Sequence, residues 1–161
     1  MLQDRTGQPG DGRFYIPRLD QLDTSGCLPL RMILFVVQFR AMFDVGSGVA
    51  SRLELSQFDE VSDHLHVLAR TPSGDDWKFE RFAPFSAART GLDLTGARVT
   101  DHRLAPYNDG LAGKLGRLSR DRLPFYVCTP IEQTDDGESH RLFIPMGKRK
   151  GAITHCLLLK L

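Results

Sequence analysis

His64 and His66 stand two residues apart in His64-Leu65-His66-Val67-Leu68-Ala69. On a strand that spacing turns both imidazoles to one face, where they can reach a common metal. No third ligand follows at a suitable spacing, so the pair reads as the lining of a half-exposed strand and no metal is expected. Cys128 falls within a stretch of strand character, on what reads as a central strand, and is taken as a small core residue instead of a nucleophile. No set of acid, base and nucleophile is evident, so neither a catalytic residue nor enzyme activity is expected. Gly147-Lys148-Arg149-Lys150-Gly151 gathers three cations at a tight turn. Such a turn suits a phosphate or a solvated hairpin tip, and the tip is the simpler reading. Arg117, Arg120 and Arg122 near a helix end complement its dipole, and with the tip they offer partners for an anionic nucleotide messenger. Gly113-Lys114-Leu115-Gly116 lacks the glycine spacing and the hydroxyl of a phosphate loop.

Three hairpin-shaped stretches must position these groups. The first runs from His64 to Phe82 and turns at Thr71-Pro72-Ser73-Gly74-Asp75-Asp76. In its second arm Trp77 and Phe79 alternate with Lys78 and Glu80, so one face is apolar. The others form a meander from Pro124 to Leu161, turning at 134–138 and 147–151. Strands are expected near 64–70, 76–82, 124–133, 139–146 and 152–160. Between them lie a short helix from Phe85 to Thr90, stopped by Gly91, and a longer one from Asn108 to Asp121. Gly110, Gly113 and Gly116 leave that second helix a smooth stripe open to close approach. Two strands, a helical crossing and three strands make an α+β fold: a five-stranded antiparallel sheet with helices on one face.

Residues 1–29 read as a flexible leader, although Phe14, Tyr15, Ile16 and Leu19 are able to pin it, and 30–161 as one domain. Pro29 suits the first turn of a helix over 30–43 that is apolar almost all round. Such a helix has more apolar surface than one packing face hides, so a homodimer through Met32, Phe35, Val36 and Phe39 is expected. A further short helix is signalled by Ser56, with Asp59 and Glu60 in its first turn. The chain has 161 residues, 41% hydrophobic and 25% charged, which suits one globular core. A net charge of +1 argues against a nucleic-acid footprint, and the apolar run from Leu30 to Phe43 is too short to cross a bilayer. Three cysteines without metal-ligand spacing, and no secretory signal in Met1 to Leu22, point to a reducing, cytoplasmic setting.

The run Trp77-Lys78-Phe79-Glu80-Arg81-Phe82, followed by Phe85-Ser86-Ala87-Ala88-Arg89-Thr90 and the turn Gly91-Leu92-Asp93-Leu94-Thr95-Gly96, resembles the centre of a PAS domain. It is most similar to the PAS_5-type branch common in alphaproteobacteria. Pro145 in Leu142-Phe143-Ile144-Pro145-Met146 matches the proline of a closing strand, and Leu53 to Leu68 resembles the approach to the first strand. The likeness spans about 30–161; one departure is Ala83, where that family often has glycine. The resemblance implies the strand order 2-1-5-4-3 and an N-terminal flanking helix. It also implies a sensory or regulatory module. With the last strand ending at Leu161, such a module is expected to act in trans on a signalling partner such as a histidine kinase. A small molecule or nucleotide would lie between sheet and helices, against Trp77, Phe79, Phe85 and Phe125, with Arg89 and Tyr107 to orient it. The alternative is a ligand-free scaffold for dimerisation and docking. No resident cofactor is expected: His102 precedes the long helix on which a haem-ligating histidine would sit, and the cysteine motif of flavin-binding relatives is missing.

Overall fold

Leu157-Leu158-Leu159 and Leu142-Phe143-Ile144 are apolar without alternation, because both faces of the sheet at its centre are covered. A computed structural model describes residues 14–18, 28–42, 49–50, 55–101, 110–130, 137–147 and 151–161. In chain order its elements are β1 (Phe14–Tyr15), α1 (Leu30–Ala41), β2 (Val49–Ala50), β3 (Leu65–Arg70), β4 (Trp77–Arg81), α2 (Pro84–Thr90), α3 (Leu111–Asp121), β5 (Phe125–Pro130), β6 (Glu138–Gly147) and β7 (Ile153–Lys160). The five longer strands pair antiparallel in the order β4-β3-β7-β6-β5, which is the expected 2-1-5-4-3. β3 lies beside β7, with Leu65 opposite Leu159 and Ala69 opposite His155, so the two halves of the chain meet at the middle of the sheet.

Each central strand sends alternate residues to two cores. Leu65, Val67, Leu142, Ile144, Met146, Leu157 and Leu159 pack with α1 and with Phe58 and Val61. Leu68, Phe143, Cys156 and Leu158 pack on the other side, with α3 and with Leu94 and Val99. α1 thus flanks one face while α3 lies on the opposite one. In α3, Leu111, Leu115 and Leu118 point inward at helical spacing.

Several expectations are corrected. Met32, Phe35, Val36 and Phe39 are not an intersubunit face; all four are buried against the chain's own sheet. The sheet is the larger apolar surface within reach, so α1 gives it its aromatic side. The outward side of α1 carries Leu30, Leu34 and Val37 instead. The helix signalled by Ser56 forms only two 3-10 turns, Leu55–Gln57 and Ser62–His64. The glycine stripe of α3 faces away from the core, and around Gly113 no backbone comes close. Ile16, one of the residues expected to be able to pin the leader, is buried in the α1 core, and β1 pairs with β2 and β6.

Gly147 is required by a close approach. The β6–β7 register shifts between Met146 and Gly147, and a Cβ there would lie 2.6 Å from the Ala152 carbonyl oxygen. Gly147→Ala is expected to cost about 1–3 kcal/mol, since backbone has to move. Gly113→Ala, with open space and an ordinary helical backbone, is expected to stabilise by about 0.5–1 kcal/mol. Urea denaturation of the two variants checks both signs; a neutral Gly147→Ala would contradict this packing.

Candidate functional site

The glycine turn singled out in the sequence is a docking device for the edge of β4. Gly91 closes α2 with φ of 72°, and its N–H donates to the Ala87 carbonyl at 2.8 Å. Asp93 then caps Thr95, accepting the Thr95 N–H at 3.0 Å and its hydroxyl at 2.7 Å. Those two bonds hold the Asp93 carboxyl below the usual carboxylate range, the backbone N–H first and the hydroxyl second. Beyond it the chain runs along β4: Gly96 N–H donates to Phe79 O, Phe79 N–H to Ala97 O and Val99 N–H to Trp77 O, at 2.7, 3.0 and 2.8 Å. This ribbon satisfies the outer edge of β4 and drives Leu94 and Val99 into the core beneath α3.

The expected ligand wall is therefore brought together only in part. Trp77 and Phe79 are buried side by side with Leu94, Val99, Leu111, Leu115 and Leu118. Phe125 is half-buried at the same core; its ring stacks on Phe143 at 4.7 Å, and the Arg117 guanidinium lies 4.4 Å from its centroid. Phe85 is not part of this wall. It is exposed on α2 and lies tilted against the His64 ring, centroids 4.3 Å apart. Arg89 is exposed in the last turn of α2, and Tyr107 and His102 lie outside the described residues.

The histidines separate likewise. His64 ends the second 3-10 turn, whereas His66 points into the protein at the β4–α2 junction. His66 Nδ1 accepts the Ala83 N–H at 3.0 Å, and Nε2 lies 3.4 Å from the Ser86 hydroxyl. Burial, and behind it the charges of Lys160 and Arg81, lower the His66 pKa to about 3, so this imidazole is a neutral clamp. Sequence reasoning missed that role, because nothing local marks residue 83 as its partner. His155 is also buried, with Nε2 3.5 Å from the Glu80 carboxylate and Nδ1 2.9 Å from the Thr154 hydroxyl.

Of the cationic set, Arg122 donates to the Gly151 carbonyl and Arg117 meets Asp121 at 3.6 Å. Residues 148–150 of the basic turn lie outside the described residues. Cys128 is not the small core residue expected of it. Cys156 is the buried one, its thiol pushed well up by burial and so unreactive. Cys128 is exposed, because β5 is an edge strand and not a central one. Compared with protein-family models, with curated proteins and with solved structures, the chain finds no match.

Proposed function

We propose that this chain is a PAS-type regulatory module that works through protein contact, pairing with a second copy through α1 and acting on a signalling partner such as a histidine kinase. The observation that carries this is the outward seam of α1. Leu30, Leu34 and Val37 are 69%, 54% and 55% exposed, and with Ala41 they recur at the 4-3-4 spacing of a helix-pairing seam. One flank of the helix is engaged already: Arg31 donates to Glu60 O at 2.6 Å and Gln38 to Gln57 O at 2.7 Å. What remains is a stripe without charge, self-complementary about a two-fold axis, which a second copy covers. The strand order and the likeness of the glycine turn support the PAS reading. The apolar side chains that meet Trp77 and Phe79 beneath α3 favour the scaffold form over a ligand sensor. Two free cysteines among the described residues agree with a reducing compartment, and we place the protein in the cytoplasm. Among the described residues no helix is long and apolar enough to cross a membrane.

Analytical ultracentrifugation tests the pairing. The wild-type chain is expected to sediment as a dimer at high micromolar concentration, and Leu34→Glu with Val37→Glu as a folded monomer with an unchanged far-UV spectrum. A monomeric wild type would remove the proposal. A small molecule retained through native mass spectrometry, with Trp77 emission altered on its removal, would replace the scaffold reading with ligand sensing.

A further inference from the structure

We propose that Cys128, Glu138 and His140 form a binding site for one zinc-type divalent cation, at the exposed end of the β5–β6 ladder. The register sets Cys128 directly opposite His140 and Pro130 opposite Glu138. Glu138 and His140, two apart on β6, therefore share a face with Cys128. One donor atom from each, the thiol sulfur, a carboxylate oxygen and an imidazole nitrogen, all lie within 4.8 Å of one another.

His140 is prepared for this role. Its backbone is held on the β7 side, donating to Leu161 O at 3.0 Å and accepting from Leu161 N–H at 2.9 Å. Its ring stacks against Tyr126, and Nδ1 is 2.6 Å from the Tyr126 hydroxyl oxygen. With Nδ1 occupied, Nε2 is the nitrogen turned to the cluster, 3.6 Å from the Glu138 carboxylate. A hydrogen bond on the far nitrogen is the usual way a metal-binding histidine is fixed in tautomer and direction.

The donor set selects the ion. A thiolate with an imidazole favours zinc and its neighbours over magnesium or calcium. Zinc bonds of about 2.0–2.3 Å require the donors to close in by roughly an ångström from their present spacing. Cys128 and Glu138 are exposed, so rotamer changes suffice. Three protein ligands leave the fourth tetrahedral position to water. On binding, the Cys128 thiol releases its proton to solvent and the sulfur takes the metal, so affinity rises with pH.

Reduced, chelator-stripped protein titrated with Co2+ is expected to develop tetrahedral ligand-field bands and a thiolate charge-transfer band at one equivalent, both removed by Zn2+. Cys128→Ser is expected to abolish the charge-transfer band, and Cys128→Ser and His140→Gln to weaken Zn2+ binding at least 100-fold. Tyr126→Phe is expected to weaken it about 10–100-fold, as loss of an orienting partner does. Cys27 and Cys156 remain in Cys128→Ser, so a band that survives there arises elsewhere and overturns the proposal. Absence of a thiolate band in the wild type overturns it as well. Far-UV spectra of the variants, which change only side chains at this strand end, establish that binding is read on folded protein.

Discussion

Phe39→Ala is expected to destabilise the protein by about 3–5 kcal/mol. The side chain is fully buried, with ring centroids 5.4 Å from Phe35 and 5.9 Å from Phe58, and it seals α1 onto the sheet face built by Leu65, Ile144, Leu157 and their neighbours. The space it leaves does not close readily. α1 is tethered along one flank by the hydrogen bonds of Arg31 and Gln38, and the sheet behind it is a continuous ladder. The penalty should thus contain a cavity contribution beyond lost transfer energy. Val37→Ala, two residues away but exposed, should change stability by less than about 0.5 kcal/mol when measured on dilute protein. Urea unfolding followed by circular dichroism distinguishes the two. A loss near 1 kcal/mol for Phe39→Ala would mean that α1 does not pack here.

Acidification should remove stability through His66 well before the carboxylates protonate. Its pKa is about 3 in the folded chain against a usual value of 6.5. Above pH 6.5 the imidazole is neutral in both states and contributes no pH dependence. Between 6.5 and 3 the unfolded chain takes up a proton that the folded chain refuses, so stability falls as pH falls. At 1.36 kcal/mol per pH unit the loss is about 2 kcal/mol at pH 5, approaching roughly 5 kcal/mol near pH 3. His64, also lowered by burial and by Arg31, adds in the same direction. His66→Asn keeps an acceptor for the Ala83 N–H and has no proton to gain, so its loss between pH 7 and 5 should be smaller by about 2 kcal/mol. Equal pH dependence in wild type and variant would show that His66 is not buried neutral.

Local chemistry was enough for β4 and its turn. Trp77 and Phe79 alternate with Lys78 and Glu80, and Thr71 to Asp76 closes the hairpin through Thr71 N–H to Asp76 O at 2.9 Å. Gly91 is needed for a left-handed helix end, and only a short helix fits before it. The same kind of reading failed for Cys128. A turn at 134–138 centres on Asp136 and would set Cys128 opposite Ile144, while the observed register sets it opposite His140. Register follows the packing of Tyr126 with Leu142 and Phe125 with Phe143, and those pairs carry no signature in either strand alone.

The sequence by itself determined the elements and their order, because strand alternation, helix stops and hairpin turns are properties of neighbouring residues. Tertiary structure decided which side of each element is inside. α1 is apolar all round, so its composition is indifferent between Phe39 and Val37; the sheet chose the side with Met32, Phe35, Val36 and Phe39 and left Leu30, Leu34 and Val37 to water. His64 and His66 look equivalent on a strand, yet a main-chain N–H from residue 83 makes one a buried clamp. Cys128, Glu138 and His140 converge only because β5 pairs with β6 in one register of several. In each case the deciding term is a contact between segments far apart in the chain, and its free energy exists only once both segments are in place.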